Sequence, residues 1–149
     1  MDKQTLSKFA SLAGLIIAIG GLYYLLELKC LFADNPAGIS IQALSAGLMF
    51  WARYTFGMRS FHAVANTTEG GLVTHGPYRW FRHPIYASII YFIWAGVLSH
   101  FSENTVYAGL VITGGMVLRL LLEERFLRVT YPEYADYSKR TKRIIPFIF

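Results

Sequence analysis

Four long apolar segments dominate the chain and predict a bundle of membrane-spanning helices. The segments are Leu6–Leu28, Gly38–Phe56, Pro84–Ser99 and Thr105–Leu122. A helix needs about 20 predominantly apolar residues to cross a bilayer, so the first two are long enough and the last two are near the lower limit. Four such helices account for most of the 149 residues, which predicts a single domain over residues 1–149.

Small residues recur on one face of the first predicted helix. Ala10, Gly14 and Ala18 are spaced four residues apart, and Gly114 and Gly115 lie within the last predicted helix. Small side chains allow helix backbones to approach closely in lipid. We therefore interpret these positions as helix-packing contacts and not as a ligand site.

The charge distribution predicts which ends of the helices face the cytoplasm. Apolar residues make up 54% of the chain and charged residues only 15%, and 13 of the 14 Lys and Arg lie in residues 1–8, 53–83 and 119–143. The positive-inside rule places these segments, and thus both termini, in the cytoplasm of a multi-pass protein. Contact with membrane lipids explains the net charge of +5, so we expect no nucleic-acid partner.

The loop over residues 57–82 is the longest polar segment and leads directly into the third apolar segment. Pro84 suits the first turn of a helix, which places His83 at or near its N-cap. Free backbone N–H groups at that position favour an anion such as a carboxylate. The alternative is that Arg79, Arg82 and His83 only anchor the helix at the membrane interface.

An ionisable pair near the end of the last apolar segment gives a second indication of a polar site. Arg119 lies inside the apolar run, and Glu123 follows four residues later on the same helical face. An ionisable group within a membrane span is a functional candidate by default. The alternative is that Arg119 extends to the lipid headgroups and pairs with Glu123.

The segment after Glu124 predicts a short amphipathic cytoplasmic helix near residues 132–142, with Tyr134 and Tyr137 packed inward. It would cover the site formed by the central loop and the last helix. Four basic residues of this tail are expected near anionic headgroups, at about 1 kcal/mol of attraction each: Lys139, Arg140, Lys142 and Arg143. The single cysteine, Cys30, permits no internal disulfide, and no metal site is expected.

An ordered set of motifs supports a family resemblance over roughly residues 45–149. The set is Leu72-Val73-Thr74-x-Gly76-x-Tyr78-x-Trp80-Phe81-Arg82-His83-Pro84-x-Tyr86, then Arg119-x-x-x-Glu123-Glu124, Tyr134-x-x-Tyr137 and Ile145-Pro146. It resembles the isoprenylcysteine carboxyl methyltransferase family, and related membrane phospholipid N-methyltransferases share the Arg-His-Pro and Glu-Glu elements. The resemblance implies an all-α integral membrane protein of about four transmembrane helices, in which a cytoplasmic C-terminal helix closes a cofactor pocket.

The resemblance also implies S-adenosylmethionine as methyl donor. The matching cofactor-binding positions are Leu72, Val73, Tyr78, His83, Pro84, Ile85, Tyr86 and Glu123. Arg119 would face the methyl acceptor. Glu123 can accept from the cofactor ammonium, and His83, the helix N-terminus and Arg82 can hold its carboxylate. Tyr78 and Tyr86 can pack on the adenine or near the sulfonium.

The acceptor is expected to be lipophilic and embedded in the membrane. A carboxylate acceptor is already nucleophilic and needs no base, and Arg119 would orient it. A phospholipid amine would have to lose a proton, for which Glu124 or His75 is the candidate. A small thiol would have to ionise, which Arg119 would favour.

Two departures from the family pattern affect acceptor recognition. Gly70 and Gly71 stand where the family often has polar residues, and an upstream Gln has no clear match, with His62 or Asn66 as candidate substitutes. The short chain resembles a compact prokaryotic member, which favours a bacterial inner membrane over the endoplasmic reticulum.

Two other hypotheses are an NADPH-dependent sterol-type reductase, whose family carries a related Arg-His-Pro segment, and a non-catalytic membrane scaffold.

Overall fold

The computed structural model describes residues 3–57 and 71–145, and most of the residues in these ranges are helical. The helices are α1 (Lys3–Glu27), α2 (Pro36–Phe56), α3 (Pro84–Ser99), α4 (Glu103–Thr130) and α5 (Tyr134–Arg140), with a short 3-10 helix at Gly76–Arg79. Within the described ranges the only β-type pairing is an isolated parallel bridge between Phe81 and Lys142. The all-helical fold class is thereby confirmed. Of the proposed site residues, His62 lies outside the described ranges, as does Asn66.

The four long helices pack side by side in the order α1, α4, α3, α2. The α1–α4 and α2–α3 pairs share the most extensive contacts, and α3 joins the two pairs through α4. The main core contains Leu25, Ile93, Val97, Ile112 and Leu120. Because α4 lies between α1 and α3, polar residues on α4 can contact either neighbour.

The close approach of α1 and α4 depends on glycine. A Cβ added at Gly115 would lie 2.6 Å from the Gly14 carbonyl oxygen, and one added at Gly14 would lie 3.0 Å from that of Gly115. Ala18 is buried in the same contact. The packing role predicted for these three residues is confirmed, whereas a Cβ added at Gly114 would meet nothing within 4 Å.

Helix α4 is longer than its apolar segment predicts. It begins at a capping box in which Ser102 and Thr105 each bond the other's backbone, and it continues to Thr130, beyond the predicted end at Leu122. Glu123 and Glu124 therefore lie inside a regular helix and not at its end. Adjacent positions on a helix point about 100° apart, so these two carboxylates face different neighbours.

Two of the described helices are long and apolar enough to cross a membrane. They are α1, over Thr5–Glu27, and α4, over Glu103–Thr130, whereas the apolar α3 has only 16 residues. Large apolar side chains on the outer surface are exposed, among them Ile16, Leu44 and Tyr107. Such a surface is typical of lipid contact.

The glycine contact between α1 and α4 generates a stability prediction. Gly115→Ala places its Cβ against backbone, so one helix must move, and we expect a loss of about 1–3 kcal/mol, the usual cost of overpacking. The measurement is the thermal unfolding midpoint of the detergent-purified protein. Gly114→Ala is the matched control, because its Cβ enters open space. Equal midpoints for the two variants would contradict close α1–α4 packing.

Candidate functional site

The Arg82-His83-Pro84 segment is positioned by a tight turn and by the start of α3. Gly76 has φ +58°, and a Cβ there would lie 2.6 Å from the Thr55 hydroxyl, so only glycine lets this turn pack against the end of α2. Pro84 begins α3, as the sequence predicts. His83 occupies the N-cap, but its side chain makes no capping hydrogen bond and instead turns toward α4.

Most of the basic side chains at this site contact the carboxylate of Glu124. It is only 3% exposed. Arg82 Nε donates to its Oε1 at 3.0 Å, and His83 Nε2 lies 3.3 Å from the same oxygen. Arg143 binds in a bidentate manner, with Nε on Oε1 and Nη2 on Oε2, both at 3.1 Å. Arg128, one turn along α4, lies 3.8 Å from Oε2.

Arg82 also binds the end of α5 and the C-terminal segment that follows it, residues 141–145. Its Nη1 donates to the Ser138 carbonyl at 2.7 Å and to the carbonyl of Thr141. Its backbone N–H donates to the Lys142 carbonyl at 2.6 Å, and the His83 N–H donates to the Arg143 carbonyl at 3.1 Å. The segment after α5 thus runs alongside Arg82 and His83 as a short parallel pairing.

Helix α5 packs onto the same segment through two tyrosines. Tyr134 and Tyr137 are both buried, which confirms the prediction that they face inward. The Tyr137 hydroxyl donates to the Tyr78 carbonyl at 2.7 Å. Burial raises the pKa of Tyr137, and burial together with the nearby Glu124 carboxylate raises that of Tyr134, so both remain neutral phenols.

Glu123 and Arg119 form a second polar group on another side of α4. The Tyr86 hydroxyl donates to Glu123 Oε2 at 3.0 Å, and Arg119 interacts with the same hydroxyl. Arg119 is buried, and its Nη1 donates to the Ser11 carbonyl of α1 at 3.0 Å. The sequence did not predict this contact, because Ser11 is 108 residues away and carries no distinguishing pattern.

Three of the proposed cofactor residues meet in a small apolar cluster beside the end of α2. Val73 and Tyr78 are buried with Ala52, and Ile85 packs against them. The Tyr78 and Phe56 ring centroids are 5.5 Å apart. Leu72 is half-buried at the edge of this region, whereas His75 is exposed. The structure therefore places the Leu72–Tyr86 motif around one end of the bundle.

Two expectations about basic residues change once the contacts are known. Arg143 was expected near lipid headgroups, but it binds Glu124 instead. The guanidinium of Arg82 and the imidazole of His83, both candidates for the cofactor carboxylate, likewise contact Glu124. No local pattern connects Glu124 with a residue 19 positions later, so the sequence could not indicate this ion cluster.

An apolar cavity of about 370 Å³ lies between α1, α2 and α3. Its lining includes Leu22, Met49, Phe92 and Ile93, together with Ser88, which follows Tyr86 by two residues. The Ser88 hydroxyl donates to a carbonyl of its own helix, so it adds little polarity. Within the described ranges, no group of three or more His, Cys, Asp or Glu side chains is arranged to hold a metal ion.

Comparison with known proteins agrees with this arrangement. Residues 34–134, well over half of the chain, match the phospholipid methyltransferase family. The chain belongs to this family. Its members are membrane methyltransferases, and the membership is consistent with the resemblance to isoprenylcysteine carboxyl methyltransferases. Together with the two apolar helices, it indicates association with a membrane.

One curated relative is the cobalt-zinc-cadmium resistance protein CzcN of Cupriavidus metallidurans. It is 28% identical over 109 residues, which cover 72% of this chain and 46% of the relative. The chain therefore spans less than half the length of that relative. No solved structure matches the chain.

The contact between Tyr137 and the Tyr78 carbonyl can be tested alone. Tyr137→Phe leaves a buried carbonyl without this donor, and we expect a loss of about 1–3 kcal/mol in the free energy of unfolding. The measurement is denaturant unfolding in detergent micelles. Tyr107→Phe serves as the control, because Tyr107 is 70% exposed. An unchanged stability for Tyr137→Phe would show that α5 does not depend on this hydrogen bond.

Proposed function

We propose that this protein is an integral membrane methyltransferase that uses S-adenosylmethionine and methylates a lipophilic acceptor. The observation that carries the proposal is the contact between Tyr86 and Glu123, 3.0 Å apart and next to the Arg82-His83-Pro84 segment. All of these residues fall within the part of the chain that matches the family. The NADPH reductase and scaffold hypotheses have no comparable support.

The residues around Glu123 suit the chemistry of this cofactor. S-adenosylmethionine supplies a methyl group on a sulfonium centre, ready for direct displacement. The Glu123 carboxylate can accept from an ammonium group, and Tyr86 orients that carboxylate. Because Arg82 and His83 contact Glu124, the backbone N–H groups in the first turn of α3 are the better candidates for the cofactor carboxylate.

Arg119 is the residue we assign to the acceptor. It is one helical turn from Glu123, and one guanidinium nitrogen already binds the Ser11 carbonyl, which restricts the side chain's orientation. A guanidinium held in this way can align an acceptor carboxylate with the methyl group. Positioning of this kind is worth up to about 7–11 kcal/mol of the barrier.

A carboxylate remains our first choice of acceptor, and a phospholipid amine is the second. An amine needs a base, and the basic groups around Glu124 make this carboxylate a poor proton acceptor. The family description favours a phospholipid, which keeps the amine open with His75 as the base. A small thiol is the third alternative. The apolar cavity beside Ser88 is suitable for the hydrocarbon part of a lipid-like acceptor.

We further propose that α1 to α4 all cross the membrane, with both termini in the cytoplasm, and that α5 closes the cofactor pocket. The packing of α5 and Lys142 on the Arg82-His83 segment supports this closure. The distribution of basic residues supports the orientation.

Glu123→Gln tests the proposed cofactor site. Loss of the negative charge removes a charged hydrogen bond to the cofactor ammonium, so we expect binding to weaken by about 1.5–3 kcal/mol. The measurement is calorimetric titration of the detergent-purified protein with S-adenosylhomocysteine, which retains the ammonium group. NADPH is titrated in parallel.

The outcomes separate the three hypotheses. Binding of S-adenosylhomocysteine that weakens in Glu123→Gln supports the methyltransferase site. If the affinity is unchanged in Glu123→Gln, Glu123 is not part of the cofactor site. Binding of NADPH alone supports a reductase, and binding of neither ligand by a folded protein supports a scaffold.

Arg119→Lys tests the acceptor assignment. The variant keeps a positive charge but loses the planar geometry, so we expect S-adenosylhomocysteine affinity to stay within about twofold while kcat/KM falls at least tenfold. Methyl transfer is measured with a prenylated cysteine, phosphatidylethanolamine and a small thiol. If the variant turned over the acceptor that the wild type prefers at the full rate, Arg119 would have only a structural role, in its contact with α1.

A further inference from the structure

The two adjacent glutamates of α4 have different surroundings. Glu124 is buried, and its carboxylate contacts Arg82, His83 and Arg143 at 3.0–3.3 Å. A carboxylate has about four lone-pair sites, and these partners occupy most of them. Glu123 is half-buried, and Tyr86 donates to one of its oxygens. Of the two, Glu123 retains more capacity to accept from a ligand.

Apart from Arg128, which lies on α4 itself, the partners of Glu124 come from parts of the chain that have few other connections with α4. Arg82 and His83 precede α3, whereas Arg143 follows α5. The contact between α4 and α5 themselves is small. Glu124 is therefore the point at which α4 holds both the segment that begins α3 and the C-terminal segment 141–145.

The backbone pairing between these two segments depends on the same side chains. Arg82 and His83 donate their N–H groups to the carbonyls of Lys142 and Arg143, and Lys142 donates to the Trp80 carbonyl at 3.1 Å. The side chains of Arg82 and Arg143 meet on Glu124 directly beside these hydrogen bonds. If the carboxylate lost its charge, the two arginines would lie close together without a common counter-ion.

We propose that Glu124 is a positioning residue that holds the C-terminal segment against the Arg82-His83-Pro84 segment, and that it does not itself contact the cofactor. The proposal rests on the proposed function in one respect: the segment it holds in place is the one that forms the cofactor pocket. Glu123 contacts the cofactor, while Glu124 maintains the closed arrangement around it. Loss of either carboxylate weakens cofactor binding, but only loss of Glu124 releases the C-terminal segment.

Trypsin provides a readout of this release that does not depend on activity. Lys142 has an exposed side chain but a backbone held by hydrogen bonds on both sides, so cleavage after it requires the pairing to open. In Glu124→Gln we expect cleavage after Lys142 to accelerate and S-adenosylhomocysteine affinity to fall, each by about tenfold, as for the loss of a charged hydrogen bond. Glu123→Gln should lower the affinity and leave the cleavage rate unchanged.

Matched variants control for charge and for folding. Glu133→Gln makes the same substitution at an exposed position next to α5 and should alter neither quantity. Arg143→Gln breaks the Glu124–Arg143 ion pair at its other partner, which is only partly buried. It should also accelerate cleavage and lower the affinity, and it can be used in place of Glu124→Gln if that variant does not fold. The double variant should be no more affected than Glu124→Gln alone, because the contact that Arg143→Gln removes is one of those that Glu124→Gln already weakens.

Each outcome has one meaning. Lower affinity in Glu124→Gln with an unchanged cleavage rate would make Glu124 a direct ligand and overturn the proposal. Unchanged affinity together with an unchanged cleavage rate would also overturn it. Faster cleavage in a protein whose wild type binds no S-adenosylhomocysteine would support the role of Glu124 in holding the segment while rejecting the proposed cofactor.

Discussion

The buried carboxylate of Glu124 is the constraint on which the arrangement of the site depends. A buried charge is stable only when partners replace the water it has lost, and removing one partner of such a group is costly. Here the partners are Arg82, His83 and Arg143, which come from two segments far apart in the sequence. Satisfying one carboxylate therefore brings together the start of α3 and the end of the chain.

Helix α4 connects this ion cluster with the rest of the helix bundle. On one side Gly115 allows α1 to approach, and Arg119 donates to the Ser11 carbonyl across the same interface. On another side Glu123 accepts from Tyr86 of α3. A buried guanidinium needs an acceptor inside the bundle as much as a buried carboxylate needs donors. The polar side chains of α4 thus add orientation to a contact surface that apolar packing alone would leave free to slide or rotate.

The geometry of the site distinguishes the polar residues that contact one another from those that are open to a ligand. The motif that the family match covers lies around one end of the bundle, where α2, α3, α4 and the C-terminal segment meet. Within it, the basic side chains that look most suitable for an anionic ligand contact the protein's own carboxylate. We infer that ligand recognition relies more on Glu123, on Tyr86 and on backbone groups than on the conspicuous Arg-His pair.

Much of the fold could be predicted from local sequence, because helix formation and the choice of apolar positions depend on short-range patterns. The apolar segments predicted four long helices, and the range of α3 agrees with its segment at both ends. The small residues of α1 predicted its close contact, and the spacing of Tyr134 and Tyr137 predicted their burial. The end of α4 was missed by eight residues, because charged residues continue a helix as readily as apolar ones do once tertiary contacts satisfy them.

The sequence by itself determined the helical class, the apolar surfaces and the set of polar residues from which a site could be built. Only the tertiary structure decided how those polar residues pair. The sequence singled out Glu123 by its spacing from Arg119 but could not indicate the partners of Glu124. No local pattern spans the 19 residues from Glu124 to Arg143 or the 108 from Ser11 to Arg119. Charged and hydrogen-bonding groups interact with the groups that lie closest to them in space, and the packing of the whole bundle sets those distances.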